Sequence, residues 1–158
     1  MTLFLVRHGS AGARNDADPN DDERHLDDDG DRQAGRLVEL LGARPIKRII
    51  ASPAARCQET VAPLAAHLSQ VVEVNETLFE GTDISQSWDL AVWAACQKGD
   101  AVLCSHGDVI PELIRRARLR GMEIPGKSGC SKGSCWELTW DGRRFTSGVY
   151  TPLKKPLR

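Results

Sequence analysis

The feature that most constrains the fold of this chain is the order of its apolar segments. Four short apolar runs alternate with segments whose apolar residues have helical spacing. The predicted strands are 2–6, 46–52, 71–74 and 101–105, and the predicted helices are 31–45, 53–68, 88–97 and 108–119. Two more strands, 134–140 and 144–150, flank Asp141-Gly142, a pair typical of a hairpin turn. This order predicts a three-layer α/β/α domain with a mostly parallel central sheet.

Several helix boundaries follow from local signals. Gly42 is a stop signal for the first helix. Ser52 is the expected N-cap of the second helix, and Pro53 its first residue. Pro111 falls in the first turn of the fourth helix, where proline is tolerated.

Length and composition favour one globular domain. The 158 residues are 41% hydrophobic and 27% charged, and we expect them to form a single domain over 1–158 with a loose basic tail at 150–158. The net charge of −1 gives no general attraction to nucleic acid or anionic membranes. No apolar run approaches the roughly 18 residues that span a bilayer. The expected partner is therefore neither nucleic acid nor membrane, and a monomer is the default expectation.

The cysteines indicate a reducing compartment. There are five, an odd number, and no two of them form a CxxC pair. This pattern argues for free thiols, and against a disulfide framework or a zinc site. The N-terminus also lacks a basic segment followed by an apolar one, so we expect a cytoplasmic protein.

Charged and polar residues lie at or just after the ends of three of the predicted strands. Arg7-His8-Gly9 follows the first strand, Ser105-His106-Gly107 follows the fourth, and Arg56 lies just after the second. Functional sites in such sheets lie at the carboxyl ends of the strands. We therefore expect two histidines and two arginines to meet at one edge of the sheet.

Such a cluster suits phosphate. Guanidinium groups match phosphate oxygens with two parallel hydrogen bonds, and helix N-termini add free N–H groups. Neighbouring positive charge keeps a histidine neutral, so His8 is the candidate nucleophile that attacks phosphorus. The candidate phosphate-binding residues are Arg7, Gly9, Ser10, Arg56, His106 and Gly107. Because arginines neutralise the phosphoryl oxygens, neither a metal nor another cofactor is predicted.

The proton donor to the leaving group is less well defined by sequence. Glu80, in a loop after the third strand, is the first candidate, and Asp108, next to His106, is the second. A third possibility is that the enzyme uses no acid, which would suit a leaving group that is itself a weak base.

Taken in order, LFLVRHGSA, RHLDDDGDRQA, ASPAARCQET and VLCSHGD resemble the histidine phosphatase superfamily, also called the phosphoglycerate mutase-like family. The resemblance covers residues 3 to about 119. It implies that His8 is phosphorylated, that Arg7, Arg56 and His106 bind the phosphoryl group, and that Glu80 lies where many members place the proton donor. The compact length resembles the small SixA-type phosphohistidine phosphatases, which implies a phosphoprotein or a phosphorylated small molecule as substrate.

The chain departs from the family pattern at Arg14, where mutases and fructose bisphosphatases have asparagine. The alternatives are a phosphoglycerate mutase-like enzyme, a nucleotide-phosphate hydrolase and a non-catalytic phosphate-binding or interaction module. One further hypothesis concerns the acidic stretch 16–31, which holds nine acidic residues. If it overhangs the site, it should repel highly anionic substrates.

Overall fold

In a computed structural model, which describes residues 1–15 and 17–153, the chain forms one six-stranded sheet. The strands are β1 (Thr2–Arg7), β2 (Ile46–Ala51), β3 (Val72–Val74), β4 (Asp100–Ser105), β5 (Cys135–Trp140) and β6 (Phe145–Thr151). Their order across the sheet is β3-β2-β4-β1-β5-β6. Strands β3, β2, β4 and β1 are parallel. Strand β5 runs antiparallel to β1 and pairs with β6 as a hairpin. The predicted mostly parallel α/β architecture is confirmed.

Four helices connect and cover the strands: α1 (Asp28–Leu41), α2 (Ala55–His67), α3 (Ile84–Cys96) and α4 (Val109–Leu119). Helix α1 begins three residues earlier than predicted, because the Asp27 side chain caps it by accepting from the Gly30 N–H. Helix α3 begins four residues early for the same reason, with Asp83 as its N-cap.

The prediction that Ser52 caps α2 is wrong. The helix begins at Ala55, and the Ser52 hydroxyl lies 2.8 Å from Nε2 of His106. A local sequence signal for a cap does not distinguish this use of the serine from capping, because both require a short side chain with an oxygen near a helix start.

The alternation of side chains along β1 builds a core on each face of the sheet. Leu3 and Leu5 pack with α3, α4 and the hairpin, whereas Phe4 and Val6 pack with α1 and α2. Successive side chains of a strand point to opposite faces, so a strand covered by helices on both sides is apolar throughout. This explains why LFLV, the buried part of β1, is apolar throughout.

The parallel register brings three strand ends to one edge. Arg7 pairs with Ser105, and Ala51 pairs with Cys104, so β1, β2 and β4 end together. Because β5 is antiparallel to β1, the loop that precedes Cys135 returns to this same edge. The edge therefore collects residues from the strand ends and from the 130–134 loop.

The expectation of a loose tail at 150–158 is wrong for its first residues. Tyr150 and Thr151 belong to β6, and Leu153 is fully buried. The Leu153 carbonyl accepts a hydrogen bond from Arg36 of α1, which ties the end of the hairpin to the helix. Residues 154–158 lie outside the described residues. Across 1–15 and 17–153, no helix has the length and apolarity needed to cross a membrane.

Candidate active site

His8 and His106 meet where β1 and β4 end. Their ring centroids lie 5.4 Å apart in an edge-to-face arrangement. The backbone N–H of His8 donates to the Ser105 carbonyl at 3.0 Å. Both rings are almost fully buried, yet both line an open cleft of about 620 Å³. The structure thus brings together the two histidines that the sequence separates by nearly a hundred residues.

His8 is held as a neutral imidazole with a defined tautomer. Its Nδ1 lies 2.8 Å from the Gly9 carbonyl, which can only accept, so Nδ1 carries the proton and Nε2 has the free lone pair. Burial of the ring lowers the pKa of His8 to about 3, and the charges of Arg56 and Arg7 act in the same direction. Near neutral pH this ring therefore has the free lone pair that a nucleophile needs.

Arg7 lies against the backbone that follows β4. Its Nη1 donates to the Cys130 carbonyl at 2.7 Å, and a Cβ placed on Gly107 would lie 2.7 Å from the Arg7 Cζ. Gly107 is thus required for the close approach of the guanidinium. Among the described residues, the buried Arg7 Nε has no hydrogen-bond partner, and Arg7 lines the cleft.

Arg56 enters the cleft from the first turn of α2 and is 1% exposed. Its Nη1 donates to the Asp21 carbonyl at 2.9 Å, and its Nη2 lies 3.3 Å from a Glu80 carboxylate oxygen. Its buried Nε has no partner within the part of the chain that the structure describes. The carboxylates of Asp21, at 3.6 Å, and Glu80, at 3.3 Å, compensate the buried charge of this guanidinium.

His106 is oriented by three neighbours. Its Nε2 lies 2.8 Å from the Ser52 hydroxyl, and its Nδ1 lies 3.5 Å from Arg56 Nη2. The Phe79 ring stacks on the imidazole at a centroid distance of 5.6 Å. These contacts direct the Nδ1 edge of the ring toward the cleft.

Glu80 reaches the cleft from the loop between β3 and α3. Arg14 holds its carboxylate with two hydrogen bonds, from Nη1 to Oε2 at 3.0 Å and from Nη2 to Oε1 at 3.2 Å. Asp108, the second candidate acid, accepts from the Gly81 N–H at 2.8 Å and so holds the Glu80 loop in place. Both candidate acids line the cleft.

Gly9 and Ser10 are not directed at the cleft. The Gly9 N–H donates to the Thr60 hydroxyl at 2.9 Å, and the Ser10 N–H donates to the Gln33 side chain at 2.8 Å. Because these N–H groups are used to pack the β1 loop against α1 and α2, we omit both residues from the phosphate-binding set. The sequence suggested them because they follow His8 directly and because a glycine lets a substrate approach the backbone closely.

The cleft contains three cations that the sequence-based set did not include. Its charged lining consists of Arg7, Arg14, Arg24, Arg56, Lys132, Glu80 and Asp108. Arg24 was visible as the lone arginine of the acidic stretch, and Arg14 as a departure from the family. Lys132 gave no local signal, since only the antiparallel pairing of β5 with β1 brings its loop here.

The acidic stretch does not overhang the cleft as expected, although the Asp21 carboxylate lies 3.6 Å from Nη1 of Arg56. Its effect on highly anionic substrates stays a prediction. Of its described residues, only Arg24 lines the cleft. Asp18, Asp21 and Asp22 instead line a neighbouring cavity of about 390 Å³ on the other side of Arg14 and Glu80. Asp16 of this stretch lies outside the described residues.

A model of the histidine phosphatase superfamily (branch 1) matches residues 3–82, half of the chain. The chain belongs to this superfamily. The matched segment contains Arg7, His8, Arg56 and Glu80.

Known relatives agree with this family. An 8-oxo-(d)GTP phosphatase of Mycolicibacterium smegmatis is 35% identical over 152 residues, covering 94% of this chain and 47% of the relative. The chain thus spans about half the length of that protein.

Solved structures share the fold. The protein histidine phosphatase SixA complexed with tungstate matches with a TM-score of 0.70 and 19% identity, over 96% of this chain and 95% of that one. A mycobacterial glucosyl-3-phosphoglycerate phosphatase in complex with VO3 gives a TM-score of 0.70 and 18% identity, over 95% and 96%.

Proposed function

We propose that this chain is a metal-independent phosphatase that forms a covalent phosphohistidine on His8. The observation that carries the proposal is a neutral imidazole, with its free Nε2, in a cleft that Arg7, Arg56 and His106 also line. A nucleophile and cationic donors for the phosphoryl oxygens are the two things that phosphoryl transfer requires.

The reaction has two steps. His8 Nε2 attacks phosphorus, the bond to the leaving group breaks, and the phosphoryl group is transferred to the ring. Arg7, Arg56 and His106 bind the phosphoryl oxygens and stabilise the charge on them in the transition state. Water then attacks the phosphohistidine, the P–N bond breaks, and phosphate leaves. Arginines supply the charge neutralisation, so the proposal includes no metal or other cofactor.

The proposed substrate is a phosphomonoester or a protein phosphohistidine, carried by a small molecule or a phosphoprotein. The second candidate is a nucleotide phosphate. The mycobacterial relative named for 8-oxo-(d)GTP favours it, as do the additional cations Arg24 and Lys132 beside the site. We further propose that the protein is a cytoplasmic monomer that binds neither nucleic acid nor membranes.

The test is turnover of an aryl phosphate in the presence of EDTA, followed by trapping of the intermediate. Phosphohistidine survives alkali, so an alkaline quench and peptide mass spectrometry should find a phosphoryl group on His8. The matched control is His67→Ala, which removes a histidine at the opposite end of α2, about 16 Å from Arg56 along the helix. We expect His8→Ala to abolish turnover and His67→Ala to retain it.

Other outcomes separate the alternatives. Binding of inorganic phosphate without turnover by the wild type would identify a non-catalytic binding module. Transfer of the phosphoryl group to a second metabolite in preference to water would identify a mutase. Turnover that persists in His8→Ala would refute the proposed nucleophile.

A further inference from the structure

The Arg14–Glu80 pair is the feature of the cleft that the two-step reaction does not use. Arg14 lies in the loop after β1, and Glu80 lies in the loop after β3, 66 residues away. The guanidinium covers both oxygens of the carboxylate, with contacts of 3.0 and 3.2 Å. Such a two-bond arrangement presents N–H donors to both oxygens at once.

A second arginine occupies one of these oxygens as well. Arg56 Nη2 lies 3.3 Å from Oε1, while Oε2 faces Arg14 Nη1 and, at 3.9 Å, His106 Nδ1. Both oxygens thus accept from arginines, which have no acceptor atom. Glu80 is therefore held as a hydrogen-bond acceptor, and Arg14 is the arginine that engages Oε2 in this way.

We propose that Arg14 is a specificity-determining residue that keeps Glu80 from acting as the general acid. This inference rests on the proposed function of the cleft. Arg14 acts through Glu80, and the consequence is that the enzyme selects its substrates by how easily their leaving groups depart.

The chemistry of the first step gives the substrate class. When the bond from phosphorus to the leaving group breaks, its electron pair stays on the leaving atom. Asp108, the other candidate acid, accepts from the Gly81 N–H and holds the Glu80 loop. If neither carboxylate supplies a proton, that atom departs unprotonated, which is fast only if it is a weak base. Phosphohistidine with a protonated imidazole ring, acyl phosphates and phosphoanhydrides have such leaving groups, whereas alkyl phosphates do not. The shared chemistry of the substrates is thus a weakly basic leaving group.

The experiment measures kcat/KM for 4-nitrophenyl phosphate, phenyl phosphate and an alkyl phosphate, whose leaving groups are progressively more basic. This constant reports the steps up to departure of the leaving group. Wild type should show a steep fall along the series. Arg14→Gln should reduce the ratio between the first and last substrates by about 10²-fold, the lower end of what general acids contribute.

The effect of Arg14→Gln on the ratio of kcat/KM between the substrates should depend on pH. In Arg14→Gln the Glu80 carboxyl keeps its contact with Arg56 but loses the arginine at Oε2. Carboxyl groups in general carry a proton part of the time at about pH 5 and not at pH 8. The gain for the alkyl phosphate in Arg14→Gln should therefore be present at pH 5 and absent at pH 8. A purely structural effect of the substitution would not vary with pH in this way. Because half-exposed ion pairs contribute little to stability, we expect the variant to fold.

Two controls isolate the role of Glu80. Arg24→Gln removes another cation of the same cleft, one that contacts Asp21 and the Ala11 carbonyl. It should lower kcat/KM for all three substrates by a similar factor. Adding Glu80→Gln to Arg14→Gln should restore the steep fall, because an amide cannot donate the acidic proton.

The outcomes distinguish this inference from the proposed function. If the wild type hydrolyses none of these substrates in a His8-dependent way, the proposed function fails. If the wild type is active but its rate hardly depends on the leaving group, or if Arg14→Gln leaves the substrate ratio unchanged at pH 5, the inference about Arg14 is refuted. A phosphohistidine peptide and a nucleoside diphosphate, assayed separately, then identify which source of weakly basic leaving group is preferred.

Discussion

At the scale of single residues, Gly107 matters for the space it leaves. A methyl group at this position would lie 2.7 Å from Cζ of Arg7 and 2.9 Å from its Nε and Nη2. Gly107→Ala should therefore displace the guanidinium from the cleft and lower kcat/KM by about 10²-fold, comparable to the loss of one transition-state donor. Steady-state kinetics with an aryl phosphate measure the effect.

The matched control is Gly35→Ala. Gly35 is exposed within α1, and its added Cβ would meet no heavy atom within 4 Å. It should leave the kinetics unchanged and raise the free energy of unfolding by up to about 1 kcal/mol, since alanine is the better helix former. Equal activity of the two alanine variants would show that Arg7 does not depend on Gly107.

At the scale of elements, the start of α1 organises the loop that leaves the active site. The Asp27 carboxylate accepts from the Gly30 N–H, the Ser10 hydroxyl and the Gly12 N–H at 2.9, 2.6 and 3.0 Å. Asp27→Ala removes both the helix cap and the support of the loop that carries Arg14. We expect a loss of about 1–2 kcal/mol in the free energy of unfolding, measured in urea.

Acid should abolish the contribution of the Asp27 carboxylate to the free energy of unfolding. The hydrogen bonds, that of Ser10 foremost, lower the pKa of Asp27 to about 2. A carboxyl whose folded pKa is lowered stabilises the fold above its unfolded pKa, and the contribution disappears as the pH falls toward 2. Asp28→Ala removes an equal charge from the same turn and should cost less, about 0.3–1 kcal/mol. Equal losses in the two variants would mean that only the charge matters.

At the scale of the whole molecule, folding should become less favourable in mild acid because of His8. Its pKa is about 3 in the folded protein and near the ordinary 6.5 when unfolded, since burial disfavours the charged ring. Between these values the unfolded chain binds the extra proton. His8 should therefore reduce the free energy of unfolding by about 1.4 kcal/mol for each pH unit below 6.5.

The measurement is urea unfolding at several pH values between 7 and 5, for the wild type and for His8→Gln. The variant has no titrating group at this position. Between pH 6.5 and 5 the free energy of unfolding of the wild type should therefore fall by about 2 kcal/mol more than that of the variant. Parallel curves for the two proteins would show that His8 is not held neutral by the fold.

The elements themselves were largely predictable. Alternating strand and helix signals set the order of segments, and the structure differs mainly at the starts of α1, α2 and α3. The helix starts differ because a helix begins where a side chain accepts a hydrogen bond from a free backbone N–H. A local sequence pattern does not determine which side chain does so. Thus Asp27 and Asp83 start helices earlier than apolar spacing indicates, whereas Ser52 serves His106 instead.

By itself, the sequence determined which chemistry the protein carries at its strand ends. Arg7, His8, Arg56 and His106 each follow a strand closely, and parallel strands must end at one edge, so local pattern and connectivity suffice to bring them together. Only the tertiary structure decided what surrounds them. The Arg14–Glu80 contact, the return of Lys132 with β5 and the packing of Gly9 and Ser10 away from the cleft all join distant segments. Such contacts depend on how loops pack in three dimensions, and short-range sequence patterns carry no record of that packing.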